Sequence, residues 1–219
     1  MSEPVFHSAL AARPERMNAE GLTIALKEID DRGMIDLRGE LKDETFSAAV
    51  SDAIGFALPS EPRTSQRQGE TAALWLSTDQ WLITAPRPAT VELHARLVGA
   101  LKGVYSLCVD MSDARTILRL EGDNVVEVLN KGTSADFTDL KEGAVRRLRY
   151  AEIAALVHVI GREPDVMDLY VFRSYADYAW TYLTTTAREA ARIRLFGRQS
   201  SVRHSDESQS PAGFRRSPE

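Results

Sequence analysis

The sequence predicts an α+β fold of mostly antiparallel sheets with packed helices, in a chain long enough for one large domain or two small lobes. Three observations carry that expectation. Apolar strands are joined by short polar turns, a strand-strand-helix order occurs twice in the first half, and strands alternate with amphipathic helices in the second.

Leu22, Ile24 and Leu26 alternate as one face of a strand, and Asp30-Asp31-Arg32-Gly33 supplies turn chemistry before Met34 to Arg38, which reads as a hairpin. Asp43 is placed to cap a helix with apolar positions Phe46, Ala49, Val50 and Ala53, ending near Gly55. After a polar connection at 60–69, the segment 72–85 gives two strands around Thr78-Asp79. Val91, His94, Leu97, Val98 and Leu101 then mark a second helix.

The second half opens with a strand at 105–110, a turn at 112–115 and a strand at 116–121. A helix follows from Asp123 or Asn124 to Lys131, stopped by Gly132. Residues 153–160 and 168–173 are strands separated by a turn at 161–165. Ser174, with Asp177 three residues on, has the form of a capping box for a last helix. Its expected buried stripe is Ala176, Trp180, Leu183, Ala187 and Ala190. The domain reading is a flexible segment at 1–20, a first lobe at 21–104, a second at 105–197 and a disordered tail at 198–219. In that tail Ser, Pro and both charge signs outweigh large apolar residues.

At 219 residues, 43% hydrophobic and 27% charged, the composition is that of a packed globular protein. A net charge of −5 offers no global basic field for nucleic acid. The longest apolar run, 153–160, is far shorter than the roughly 20 residues of a membrane helix. The first 17 residues do not have the form of a secretory signal. No nucleic-acid or membrane partner is expected, and the expected location is the cytoplasm.

The chemistry-bearing residues admit two readings each. Asp110, Asp113 and Arg115 could hold a substrate or satisfy turn amides. Lys131-Gly132-Thr133 could face an anion or simply end a helix. Cys108 reads as a small buried hydrophobe, and His158 as a hydrogen-bonded core histidine rather than a ligand. His7, His94 and His204 are scattered without metal-ligand spacing. Trp75, Trp81, Trp180, Tyr175, Tyr178 and Tyr182 are divided between core and interface anchors, and Arg215 and Arg216 between an acidic partner and a solvated tail. No Gly-x-Gly-x-x-Gly fingerprint follows a strand. No catalytic, cofactor-binding or metal-binding residue is assigned on this chain.

Five ordered segments carry a family resemblance: Gly55-Phe56-Ala57-Leu58-Pro59, the stretch 74–82 (LWLSTDQWL), the stretch 110–116 (DMSDART), Lys131-Gly132, and Arg173-Ser174-Tyr175-Ala176. Over about 22–193 the chain resembles the sarcosine oxidase gamma subunit family. That family is more distantly similar to folate-binding aminomethyltransferases, which implies a two-lobed α+β fold. Two departures stand out. Thr133 occupies a position where such chains often carry cysteine, and Ser77-Thr78-Asp79-Gln80 replaces the commoner Gly-Pro-Asp-Glu.

The resemblance implies an assembly with alpha, beta and delta subunits that oxidises sarcosine to glycine and hydrogen peroxide and passes a one-carbon unit to tetrahydrofolate. FAD, FMN, NAD and zinc are implied on the partner chains, and a scaffolding role on this one. The alternatives are the equivalent subunit of a related N-methyl amino acid dehydrogenase, such as one for N-methylglutamate, and a free-standing folate-binding one-carbon protein using Asp110, Arg115 and Lys131.

Overall fold

The computed structural model describes residues 6–13 and 23–188. The expectations for Leu22, Ala190, His204 and the 198–219 segment lie outside the described residues.

Among the described residues, ten strands form two antiparallel five-stranded sheets. The first contains β2 (Arg32–Gly39), β3 (Ser65–Gln68), β4 (Thr71–Ser77), β5 (Gln80–Pro86) and β6 (Ser106–Asp110), in the order β3-β4-β5-β2-β6. The second contains β1 (Ala25–Ile29), β7 (Arg115–Glu121), β8 (Val145–Tyr150), β9 (Ile153–Arg162) and β10 (Asp165–Phe172), in the order β1-β7-β10-β9-β8.

Alternation of side chains sorts the apolar residues into three layers. One face of the first sheet, with Ile35, Leu37, Ala73, Trp81 and Ile83, is covered by α1 (Glu44–Ile54) and α2 (Arg87–Ala100). One face of the second, with Leu118, Leu120, Met167, Leu169 and Val171, is covered by α3 (Val125–Asn130) and α4 (Ala176–Thr186). The remaining faces meet each other through Met34, Leu74, Leu82, Ile117, Leu156 and Tyr170. The α+β reading is borne out, with two sheets pressed face to face between two helical layers.

Several local expectations hold for the stated reasons. Asp43 accepts from the amides of Thr45 at 2.8 Å and Phe46 at 3.4 Å, and Gly55 ends α1 in the left-handed region at φ 90°. Others are corrected. The segments around Leu26 and Met34 are not a hairpin, since β1 pairs with β7 while β2 pairs with β5 and β6. Alternation fixes a strand but not its neighbour. As a result β1 joins the strands of the second half and β6 joins those of the first, across the boundary expected at 104/105.

The buried stripe of α2 is Thr90, Leu93 and Leu97, while Val91 is 69% and Val98 48% exposed. The polar connection at 60–69 contains β3, and β8 was hidden by its arginines. Ser174 makes no cap. It lies in a single 3-10 turn at Arg173–Tyr175, and Asp177 instead pairs with Arg13 at 2.6 Å. Gly132 follows α3, but its lack of a side chain serves packing: a Cβ there would overlap the fully buried ring of Tyr150.

The two sheets are joined at a corner. Strand β1 continues into β2 through Asp30-Asp31, and β6 continues into β7 through Met111 to Ala114. Because β1 pairs with β7 and β2 with β6, the four strands form one antiparallel ribbon that bends from one sheet into the other. Ser112 holds the bend. Its hydroxyl accepts from the Met34 amide at 3.0 Å and donates to the Asp110 carboxylate at 2.5 Å, and the Met111 amide donates to the Met34 carbonyl at 2.7 Å. Arg87 closes the corner from outside, donating to the Ser112 carbonyl at 3.0 Å and to Asp113 at 2.9 Å.

Replacing Ser112 by Ala leaves the buried Met34 amide without its acceptor. The expected cost is about 1–3 kcal/mol in denaturant unfolding, with Ser112→Thr closer to wild type. Equal stability of wild type and S112A would show that the corner does not depend on this hydroxyl.

Candidate functional site

The residues singled out in the sequence are held by the fold in separate places. Asp110 accepts the amide and hydroxyl of Ser112, and Asp113 is the partner of Arg87. The Arg115 guanidinium lies 4.4 Å over the ring of Phe172, and burial, followed by the charge of Arg147, lowers its pKa. Lys131 turns the other way. Its ammonium donates to the Thr186 carbonyl at the end of α4 at 2.8 Å and pairs with Glu127 at 3.3 Å. Asp110, Arg115 and Lys131 are thus committed to three different sets of partners.

Thr133 accepts the Ala135 amide at 3.3 Å as a local turn. Asp79 keeps its turn role, accepting the Ser77 hydroxyl, which is the main cause of its lowered pKa.

The recognised segments are tied to one another. The buried Trp81 indole donates to the Pro59 carbonyl at 2.9 Å, the Arg173 amide donates to the Ala114 carbonyl at 2.9 Å, and the Tyr182 hydroxyl donates to the Lys131 carbonyl at 3.0 Å. Trp81 and Trp180 are core, Trp75 and Tyr182 are half-buried, and Tyr175 and Tyr178 are exposed. Cys108 is half-buried on β6. Burial, and then the neighbouring Asp110, push its thiol up to about 11, so it stays protonated near neutrality. His94 reaches the Cys108 carbonyl at 3.3 Å from α2.

A polar cluster lies where the layer between the sheets opens at its edge. Register places Lys27, Arg119, Asp168, His158 and Val145 in one cross-strand row. Arg119 clasps the buried Asp168 with two bonds of 2.7 and 2.8 Å. The hydroxyl of Ser65, from the opposite sheet, is 2.9 Å from Nε2 of His158 and donates to the Gly143 carbonyl at 3.0 Å. Arg32, Arg67, Thr84 and Tyr170 complete the walls of a cavity of about 110 Å³. The sequence had marked His158 as a core histidine but gave no sign that the pairing would assemble this row around it.

No group of three or more His, Cys, Asp and Glu side chains placed to hold a metal occurs among the described residues. No described helix is long and apolar enough to cross a membrane.

Burial lowers the pKa of His158 from 6.5 to about 4 against the opposing pull of Asp168. The imidazole is therefore neutral in the fold at pH values where the unfolded chain already takes up a proton. Its contribution is full above pH 6.5 and is lost as pH falls toward about 4, by about 3 kcal/mol in all. Denaturant unfolding at several pH values from 7 to 4 should give a flatter pH dependence for His158→Gln than for wild type. Matching slopes would remove His158 as the source.

Comparison with known proteins places this architecture. A family model described as sarcosine oxidase, gamma subunit family matches residues 38–189. The sarcosine oxidase subunit gamma of Corynebacterium sp. (strain P-1) is 36% identical over 115 residues, covering 52% of this chain and 55% of the relative. The match thus spans little more than half the length of that relative.

Among solved structures, a chain of the heterotetrameric sarcosine oxidase from Corynebacterium sp. U-96, in complex with pyrrole 2-carboxylate, is similar with a TM-score of 0.75 and 25% identity. The likeness covers 87% of this chain and 98% of that one. The glycine cleavage system aminomethyltransferase T from Bartonella henselae shares the fold alone. Its TM-score is 0.57 at 16% identity, over 72% of this chain and 44% of that one. With the family match running from the end of β2 through α4, more than half of the chain, the chain belongs to the sarcosine oxidase gamma subunit family.

Proposed function

We propose that this chain is the gamma subunit of a heterotetrameric sarcosine oxidase, acting as a scaffold and contributing no catalytic side chain. The observation that carries this reading is the likeness to a chain of a heterotetrameric sarcosine oxidase over 98% of that chain. The local geometry agrees with it. Asp113, Arg115, Lys131 and His158 are engaged in holding turns, helix ends and sheets together, and the Cys108 thiol is protonated near neutrality.

In this reading the alpha, beta and delta chains are the partners, and FAD, FMN, NAD, zinc and tetrahydrofolate reside on them. The whole assembly oxidises sarcosine to glycine, forms hydrogen peroxide and passes the one-carbon unit to tetrahydrofolate in the cytoplasm. The role of this chain is to pack on the larger subunits, help enclose the path of the one-carbon unit and stabilise the quaternary structure.

The test is capture of the tagged chain from its native host, with mass spectrometry, a flavin absorbance spectrum and an assay of sarcosine-dependent peroxide formation. Large flavin-bearing chains and a small zinc-binding chain are expected in the captured complex. A chain recovered alone and colourless would overturn the proposal.

A further inference from the structure

Strand β8 reads Val145-Arg146-Arg147-Leu148-Arg149-Tyr150 and lies at the edge of the second sheet, paired on one side with β9; on the other side its Val145 amide donates to the Arg63 carbonyl at 2.8 Å, which leaves the outer edge open from Arg146 onward among the described residues. Residues 145–148 all line one groove of about 480 Å³, whose other walls include Arg63, Trp75 and Leu76. Successive side chains of a strand point to opposite faces, so a groove touching four in a row runs along the strand's open edge. Such an edge presents backbone amides and carbonyls to any extended chain laid beside it.

The groove is charged on one side of the balance. Among the described residues, Arg63, Arg146 and Arg147 form no ion pair, whereas Arg149 is paired with Glu152. The Arg146 guanidinium is lowered in pKa by burial and then by Arg63, so those two cations are close enough to act on one another, while Arg147 donates to the Leu76 carbonyl at 3.4 Å in the same groove. The single carboxylate in the lining, Asp136, is engaged by Thr138 through the backbone amide at 2.9 Å. This concentration of positive charge occurs on a chain of net charge −5. Apolar surface accompanies it: Trp75 and Leu148 are half-buried in the groove, and tryptophan and arginine are the side chains most enriched in binding hot spots.

We propose that this groove docks an acidic, extended segment of another subunit, with carboxylates on Arg63, Arg146 and Arg147 and an apolar side chain against Trp75. The proposal rests on the subunit reading above. The charge pattern selects the occupant. A second copy paired edge to edge would set the arginines of β8 against each other. The 189–219 segment of this chain carries more arginine than acidic residues and so offers no complement.

The test uses the full chain captured from its host as wild type, as the charge-reversed pair Arg63→Glu with Arg146→Glu, and as Arg96→Glu, a control on the exposed face of α2. Circular dichroism melts confirm folding of each. The charge-reversed pair is expected to lose roughly tenfold or more of its captured partner at low salt. The wild-type capture should itself weaken steeply with ionic strength, and Arg96→Glu should behave as wild type.

A photo-crosslinking residue at Leu148 is expected to label an acid-rich segment of a partner. If wild type and the charge-reversed pair capture partners equally, the groove is not the docking site although the subunit reading stands. The same holds if the crosslink falls on a segment poor in acidic residues. If wild type captures no partner, both fall together.

Discussion

The corner between the two sheets is the constraint on which the rest of the structure depends. A two-stranded ribbon has to leave one sheet and enter the other without stranding the backbone groups at the bend, and burial makes each such group costly. Ser112 answers this with one hydroxyl that both accepts from Met34 and donates to Asp110, while Arg87 secures the outer side. Once the ribbon turns there, β2 is fixed at the inner flank of β6 and β1 at the flank of β7, and the layer of Met34, Leu82, Ile117 and Tyr170 is trapped between the sheets. The arrangement binds the two halves of the sequence by strand exchange rather than by surface contact alone.

The segments that make the family recognisable are, on this view, parts of the frame. The 110–116 stretch is the corner. Pro59 and Trp81 join the end of the first helical layer to the first sheet, and Lys131 ties α3 to the end of α4. Those jobs require particular side chains at particular spacings as strictly as catalysis would. A short, chemically ordinary motif can therefore identify a family without marking a reactive group. Asp113 and Arg115 illustrate this: a carboxylate and a guanidinium close in sequence are directed to Arg87 and to the ring of Phe172, not to a common ligand.

What was legible in the sequence was local. Asp43 and Gly55 delimit α1 because cap chemistry acts within a few residues. The β4-β5 pair was readable because its turn is short. Partner choice was not readable: Leu26 and Met34 alternate equally well whether their strands form a hairpin or separate into two sheets. Strand β8 escaped notice because three arginines among six residues disguise a strand whose Val145 and Tyr150 are fully buried. The row Arg119, Asp168, His158 is likewise a product of register, assembled when the β9-β10 hairpin pairs with the distant β7.

The arginines that hid β8 from a reading of hydrophobicity also disfavour pairing of this edge strand with a copy of itself. A bare edge invites pairing with any other edge, and like charges along it raise the cost of self-association. The same charges do not oppose a complementary acidic strand, so the device that blocks one class of partner selects another. An edge strand of the first sheet is managed differently. Leu107 and Val109 on β6, and Tyr105 just before it, are exposed without a comparable run of cations. Edge strands β6 and β8 therefore present different chemistry, which suits the proposed place among dissimilar subunits better than repetition in a symmetric oligomer.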